Sequence, residues 1–287
     1  MKKKLTFNLW EGLFFLAALV SIGLVLLISF FLFREGTRIF QDLSLADFLL
    51  GRKWAPTDSP AQLGILAMIL GSFYITLLAL VIGGPIGIVT GVFLVYYCQP
   101  RAYRVFKPLI NLMAGIPSII YGFFGMVALI PLVRKLFGGP GASILTGGLL
   151  LSLMILPTII NLSEVALRSV PSFFYEGALA LGSSKERSIF KVVLPAARSG
   201  IVSSLILGLG RAIGETMALV MVAGNQPRMP KDILKGARTL TTNIVMEMSY
   251  ASGSHRQALI ATALVLFILI LFINLVFTII KEGNRYE

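Results

Sequence analysis

Arg211 and Glu215 stand four residues apart in GRAIGETMALVMVAGN, residues 210–225, a stretch that is otherwise apolar. A guanidinium is a forked donor whose charge does not titrate, so it can bind two oxygens of a tetrahedral oxyanion at once. A carboxylate beside it repels a dianion unless it carries a proton or is held by the arginine. Glu215 is therefore a candidate for favouring protonated oxyanions, which can donate a hydrogen bond to it. On an uninterrupted helix Gly200, Ser204, Gly208, Arg211, Glu215 and Ala218 fall within an arc of about 80°. Ile201, Leu205, Leu209, Ile213, Leu219 and Val220 occupy the rest of the circumference. Arg211 then lies about 16 Å along the axis from Gly200, near mid-depth of a hydrocarbon core about 30 Å thick. An arginine there costs about 2.5 to 3.5 kcal/mol and must face protein or water. Glu215, one turn on, is expected to pair with it. Two readings follow, an Arg–Glu lock between helices or a guanidinium facing a pathway. The small residues beside it leave volume for the second, although Gly210-x-x-x-Gly214 also suits helix packing.

The elements that must position these residues are membrane helices. Of the 287 residues 56% are apolar and 13% charged, and the mean hydropathy is +0.88, far from the balance of a soluble domain. Uncharged runs long enough to cross a bilayer recur, without the alternating ten-residue segments of a barrel. We expect an all-α polytopic protein with six spans, near Leu13–Phe33, Gly64–Tyr97, Pro108–Val133, Ser143–Ser163, Gly200–Gly224 and Gln257–Ile280. The second is about 50 Å long if wholly helical, so tilt, protrusion or a break at Gly83-Gly84-Pro85 must absorb the excess. The opening Met-Lys-Lys-Lys precedes 21 uncharged residues with no small-x-small site after them, which reads as a retained first helix.

The net charge of +12 is scattered among short loops, which fits anionic headgroups or an anion and does not suggest nucleic acid. With both termini cytoplasmic, 13 cations lie inside and 11 outside, too even a division to fix orientation. Cys98 and His255 are the only residues of their types, so neither an intrachain disulfide nor a Cys/His metal cluster is expected. No serine–histidine or paired-aspartate constellation suggests an enzyme.

Pro117, in AGIPSIIYGFFG, and Pro157, in SLMILPTIINLS, each remove a backbone hydrogen bond inside a predicted span. Freed carbonyls must be satisfied within protein or a water-filled cavity. Ser118, Tyr121 and Thr158 are candidates to line a polar path, or else bond back to their own helices. The loop 164–199 carries the strongest local signals. Ser172 is expected to cap a short helix ending at Gly182, and Ser183-Ser184-Lys185-Glu186 to form a capping box for a second helix that Pro195 ends. Phe173, Phe174 and Tyr175 are large apolar groups suited to a groove on a partner or to the bilayer surface.

This loop resembles the Glu-Ala-Ala loop of type I ABC importer permeases. Glu176, Ala178, Gly182, Leu194 and Pro195 match its spacing, with Gly177 in place of an alanine and Val192 in place of an isoleucine. LGILAMILGSFYITL (63–77), LMAGIPSIIYGFFG (112–125), ILPTIINLSEVALRSVP (155–171) and GLGRAIGETMALVMVAGN (208–225) are similar, more narrowly, to PstC-type subunits of phosphate importers. The PstA-type sister subunits share Arg-Ala-Ile-Gly-Glu-Thr.

The resemblance implies a type I permease fold divided into an N-terminal helix with its outer loop (1–63) and a permease core (64–287). It implies multi-pass placement in a bacterial or archaeal inner membrane with both termini cytoplasmic. The implied partners are a PstA-type permease, a PstB-type ATPase pair, which would hold ATP and Mg, and a PstS-type phosphate-binding protein outside. No cofactor is expected on this chain, which lacks a G-x-x-x-x-G-K-[ST] loop. Arg211 and Glu215 would be the transport-critical charges, and the Glu176 loop would enter the ATPase. Sulfate or molybdate as substrate, a PstA-type sister subunit in place of a PstC-type one, and an ATP-independent channel or carrier remain alternatives.

Overall fold

The computed structural model describes residues 9–283. In chain order the helices are α1 (Leu9–Gly36), α2 (Leu45–Leu50), α3 (Leu66–Val92), α4 (Pro100–Gly115), α5 (Ser118–Phe124), α6 (Ile130–Phe137) and α7 (Ile144–Arg168). They continue as α8 (Ser172–Ala180), α9 (Lys185–Ser188), α10 (Leu194–Ala196), α11 (Arg198–Gly214), α12 (Met217–Val222), α13 (Leu240–Glu247) and α14 (Gly253–Gly283). Two strands of two residues, β1 (Trp54–Ala55) and β2 (Gln62–Leu63), pair antiparallel in the loop after α2. Wider π-helical turns extend α3 through Phe93–Tyr97 and join α5 to α6 through Gly125–Leu129.

Five segments are long and apolar enough to cross a membrane unaided: Trp10–Gln41, Leu66–Tyr97, Ser118–Phe137, Ile144–Arg168 and Gly253–Val276. The sixth is interrupted. Lys185–Ala196 meets α11 at a bend of 72°, and α11 itself stops at Gly214. The chain is thus a multi-pass helical membrane protein.

At the centre α7 is clasped between α3 and α11. Ile159 of α7 is fully buried and faces glycine on both sides. A Cβ on Gly87 of α3 would come within 2.6 Å of Ile159 Cγ2, and one on Gly208 of α11 within 2.9 Å of Ile159 Cγ1. Small residues let the backbones approach where lipid supplies no hydrophobic force between helices. This clasp bears on the two prolines within it. α3 and α7 run through Pro85 and Pro157 without ending, because tertiary packing along their shared face holds the turns that each proline weakens. With its π-helical extension α3 runs unbroken over Leu66–Tyr97, so the break at Gly83-Gly84-Pro85 does not occur.

Pro117 does break its helix. Ile116 takes φ −70°, ψ 125°, as a residue before proline is constrained to do, and α5 starts directly after Pro117. The third span therefore starts at Ser118 and not at Pro108. α4 is a separate helix with Arg101, Arg104 and Lys107 along it.

On one side of the bundle Ile39, Phe48, Trp54, Ile65, Leu240 and Leu259 form a second core that ties the segment after α1 to α13 and α14. On the other side Val92, Leu167, Ile189, Val193 and Ile201 form a third beneath α8–α10. α1 packs along α14, with Gly36 against Leu264, and is otherwise exposed and apolar all round, as a lipid-facing helix is.

Candidate functional site

Arg211 lies in the last turn of α11 and is half-buried. Its Nη1 donates to Thr158 Oγ1 of α7 at 3.2 Å. It has no carboxylate partner among the described residues. The expected pairing with Glu215 does not form, because the helix on which that expectation rested is broken between them. Glu215 takes an extended conformation, φ −69° and ψ 134°, and Thr216 follows at φ −127° and ψ −61°. The Glu215 carboxylate turns to the next helix, where Oε1 accepts from the amides of Thr216 (3.1 Å) and Ala218 (3.2 Å). A carboxylate at a helix N-terminus satisfies free amides and the helix dipole together. The Glu215 carbonyl accepts from Thr241 Oγ1 of α13 at 2.9 Å. Non-helical backbone at membrane depth thus finds its partners within the protein. Glycine followed by two side chains able to cap, Gly214-Glu215-Thr216, was the sequence signal for this break; the apolar periodicity concealed it.

The other candidates divide. Thr158 is partly exposed and holds the guanidinium. Tyr121 is buried, and its hydroxyl donates to the Met113 carbonyl at 2.9 Å. That bond fastens the α4–α5 elbow. Ser118 is the first residue of α5 and partly exposed. A Cβ on Gly210 or Gly214 would meet nothing within 4 Å, and Leu207 is exposed. Arg211 therefore borders a face of α11 that this chain leaves open.

The loop after α7 forms the expected pair of short helices, with two changes at the caps. Ser172 lies inside α8, and Pro171 occupies the cap position. Ser184 alone caps α9, accepting from the Arg187 amide, so Glu186 completes no box. Gly182 sits at φ +82° with open space around it, a conformation that favours glycine. Phe173 and Phe174 stack with centroids 4.5 Å apart and are exposed, while Leu181 is 91% exposed. Glu176 and Gly177 are exposed, Ala178 is partly buried, Leu194 packs on the core below, and Pro195 is exposed. Lys185 fastens the loop to the end of α3, with Nζ donating to the Tyr96 carbonyl at 2.7 Å and lying 4.2 Å from the Tyr97 ring centroid.

Two buried charge clusters escaped the sequence reading. Glu164 on α7 accepts from Lys107 Nζ (2.6 Å), Arg168 Nε (2.9 Å) and the Tyr103 hydroxyl (2.7 Å). Its signal was present: Tyr103, Lys107 and Asn111 recur at helical spacing on α4, as do Asn161, Glu164 and Arg168 on α7. On the α13 side Glu247 accepts from Trp54 Nε1 (2.9 Å) and pairs with Arg238 and with His255 Nε2 (2.8 Å). These partners are far apart in sequence, and no local pattern links them.

Residues 83–285, which include the broken helix and the α8–α10 loop, match the family described as binding-protein-dependent transport system inner membrane component. Among relatives, a probable ABC transporter permease protein, YqgH of Bacillus subtilis (strain 168), is 38% identical over 90% of this chain and 86% of its own length. The phosphate transport system permease protein PstC of Xylella fastidiosa (strain 9a5c) is 32% identical over 94% of this chain and 89% of its own. Among solved structures, an inward-facing MetNI methionine ABC transporter chain superposes with a TM-score of 0.62 at 22% identity, over 76% of this chain and 95% of that one. An amino acid ABC transporter chain does so with a TM-score of 0.56 at 15% identity, over 76% and 93%; at these identities the likeness concerns the fold. The chain thus belongs to the family of inner membrane components of binding-protein-dependent transport systems and has the fold of their type I ABC importer permeases.

Proposed function

We propose that this chain is the PstC-type permease subunit of an ATP-driven phosphate importer and forms half of the pathway. The observation that carries this reading is the guanidinium of Arg211 in the last turn of α11, half-buried, tethered by one hydroxyl and, among the described residues, without a carboxylate to neutralise it. An uncompensated cation there needs water or a mobile anion. The open face beside it, at Gly210 and Gly214, is where a second, PstA-type permease closes the other half. Thr158 orients the fork toward an incoming oxyanion, and Ser118 adds a hydroxyl at the start of α5. Glu215 Oε1 is occupied by amides; Oε2 remains to accept a hydrogen bond from a protonated anion, which favours hydrogen phosphate over fully deprotonated sulfate.

The exposed α8–α9 knob supports coupling to a PstB-type ATPase pair that binds ATP and Mg. That coupling puts the knob and both termini in the cytoplasm and the chain in a cell inner membrane, with a PstS-type binding protein delivering phosphate outside. Closure of the ATPases moves the knob, and the rigid α3–α7–α11 clasp transmits the motion to Arg211. Reconstitution with these partners tests the reading. Uptake of phosphate that requires ATP and is not matched by sulfate or molybdate is expected; equal uptake of sulfate, or uptake without ATP, refutes it.

A further inference from the structure

The Glu164 cluster has more positive charge than its own stability requires. Glu164 is nearly enclosed, its side chain 4% exposed, and one cation would neutralise it; it has two, Lys107 and Arg168. Lys107 is further held by Asn161 Oδ1 at 2.9 Å. Two of its three ammonium donors are then used and one is left. Asn161 Nδ2 donates to Asn111 Oδ1 at 3.1 Å, so the amide nitrogen of Asn111 is free to donate elsewhere. Lys107 and Asn111 both line an open groove of about 820 Å³ along the α4–α5 elbow, next to Gly115 and Pro117. The same elbow is fastened by the Tyr121 hydroxyl on the Met113 carbonyl. Thr158, which holds Arg211, precedes Asn161 by one turn of α7, and Glu164 lies about 9 Å of helix rise beyond Thr158. Cationic donors thus stand at both ends of a short run of hydroxyl and amide groups.

We propose that Lys107, assisted by Asn111, is a second contact for the transported oxyanion on the cytoplasmic side of Arg211. Glu164 keeps that contact weak by competing for the same ammonium. An ion that must leave needs sites attractive enough to enter and weak enough to release it. A surplus of one positive charge over a buried carboxylate meets both needs. The inference rests on the phosphate reading above and adds a release step to it.

The test uses vesicles containing the full complex with its ATPase and binding protein. Labelled phosphate flux is measured with and without unlabelled phosphate on the ATPase side. Inhibition by that phosphate is expected in the unsubstituted complex. Lys107→Gln is expected to lower flux about tenfold, the loss of a charge-assisted contact, and to abolish the inhibition; Lys107→Arg is expected to retain both. Normal flux and inhibition in Lys107→Gln overturn the inference, as does equal failure of the Gln and Arg variants. Should Lys107→Gln not assemble, Asn111→Leu decides, since it leaves the Glu164 ion pairs in place. Loss of inhibition in that variant supports the contact, and unchanged inhibition overturns it. Absence of phosphate flux in the unsubstituted complex removes the phosphate reading and this inference together, whereas normal flux with silent Lys107 and Asn111 variants removes this inference alone.

Discussion

Replacing Glu247 by glutamine tests whether the cap of the bundle around α13 is held by a single buried carboxylate. Glu247 receives the Trp54 indole, the His255 imidazole and the Arg238 guanidinium, and thereby joins the β1–β2 loop, the segment before α13 and the start of α14. Glutamine has one acceptor oxygen in place of two and presents an amide donor to one of these donors. Removing one partner of a buried ion pair costs about 3 to 5 kcal/mol. Arg238 keeps Asn243 Oδ1 at 3.0 Å and the Asn225 carbonyl at 3.1 Å, so its charge is not stranded and the expected loss is near the lower figure, about 3 kcal/mol. The same cap contains a control. Lys53 and Asp58 also pair, but at 61% and 46% exposure, and Asp58→Asn should cost less than about 1 kcal/mol. The chain has two tryptophans, so in a Trp10→Phe background Trp54 becomes the sole reporter, buried and bonded to the residue under test. Denaturant titration of the full chain in micelles, followed by Trp54 emission, reads both variants. Equal midpoints for Glu247→Gln and Asp58→Asn would refute the reasoning.

Three further outcomes follow from the packing and the site. Ile159→Ala empties the contact between Gly87 and Gly208 and should destabilise the bundle by about 2 to 5 kcal/mol, measured as the unfolding midpoint; a loss below about 1 kcal/mol would mean that the clasp is not central. Thr158→Val removes the hydroxyl that holds a charged donor, and phosphate uptake should fall about tenfold or more at unchanged assembly; unaltered uptake would show that the guanidinium needs no tether. Gly182→Trp places a large side chain at φ +82° on the exposed knob. It is expected to leave the two permeases associated while ATP hydrolysis continues without uptake, and normal coupled uptake would refute the knob's role.

The sequence made the spans and the α8–α9 knob legible because hydropathy and glycine placement are local signals. Gly182 acts as expected because it sets its own backbone dihedrals whatever surrounds it; Pro117 does so too, but by ending α4 it moves the start of the third span from Pro108 to Ser118. Pro85 and Pro157 lie within continuous helices, so of the alternatives open at Pro85 the break is not taken, and the packing of α3, α7 and α11 holds both helices together around their prolines. Arg211 was identifiable as a charge at depth. Its pairing was misread because an uninterrupted helix was assumed, whereas Glu215 uses its carboxylate to start α12. The Glu164 cluster was legible in principle from helical spacing on α4 and α7. The Glu247 cluster was not, since Trp54 and Glu247 are separated by 193 residues and meet only once the segment after α1 folds against α13 and α14.

The central claim is that Arg211 meets the transported anion and is not a bolt between helices. Its most direct test is phosphate uptake and subunit association measured together for Arg211→Ala in the reconstituted complex. The account predicts an assembled complex that hydrolyses ATP and takes up no phosphate. Uptake at the unsubstituted rate, or a complex that fails to assemble, would contradict it.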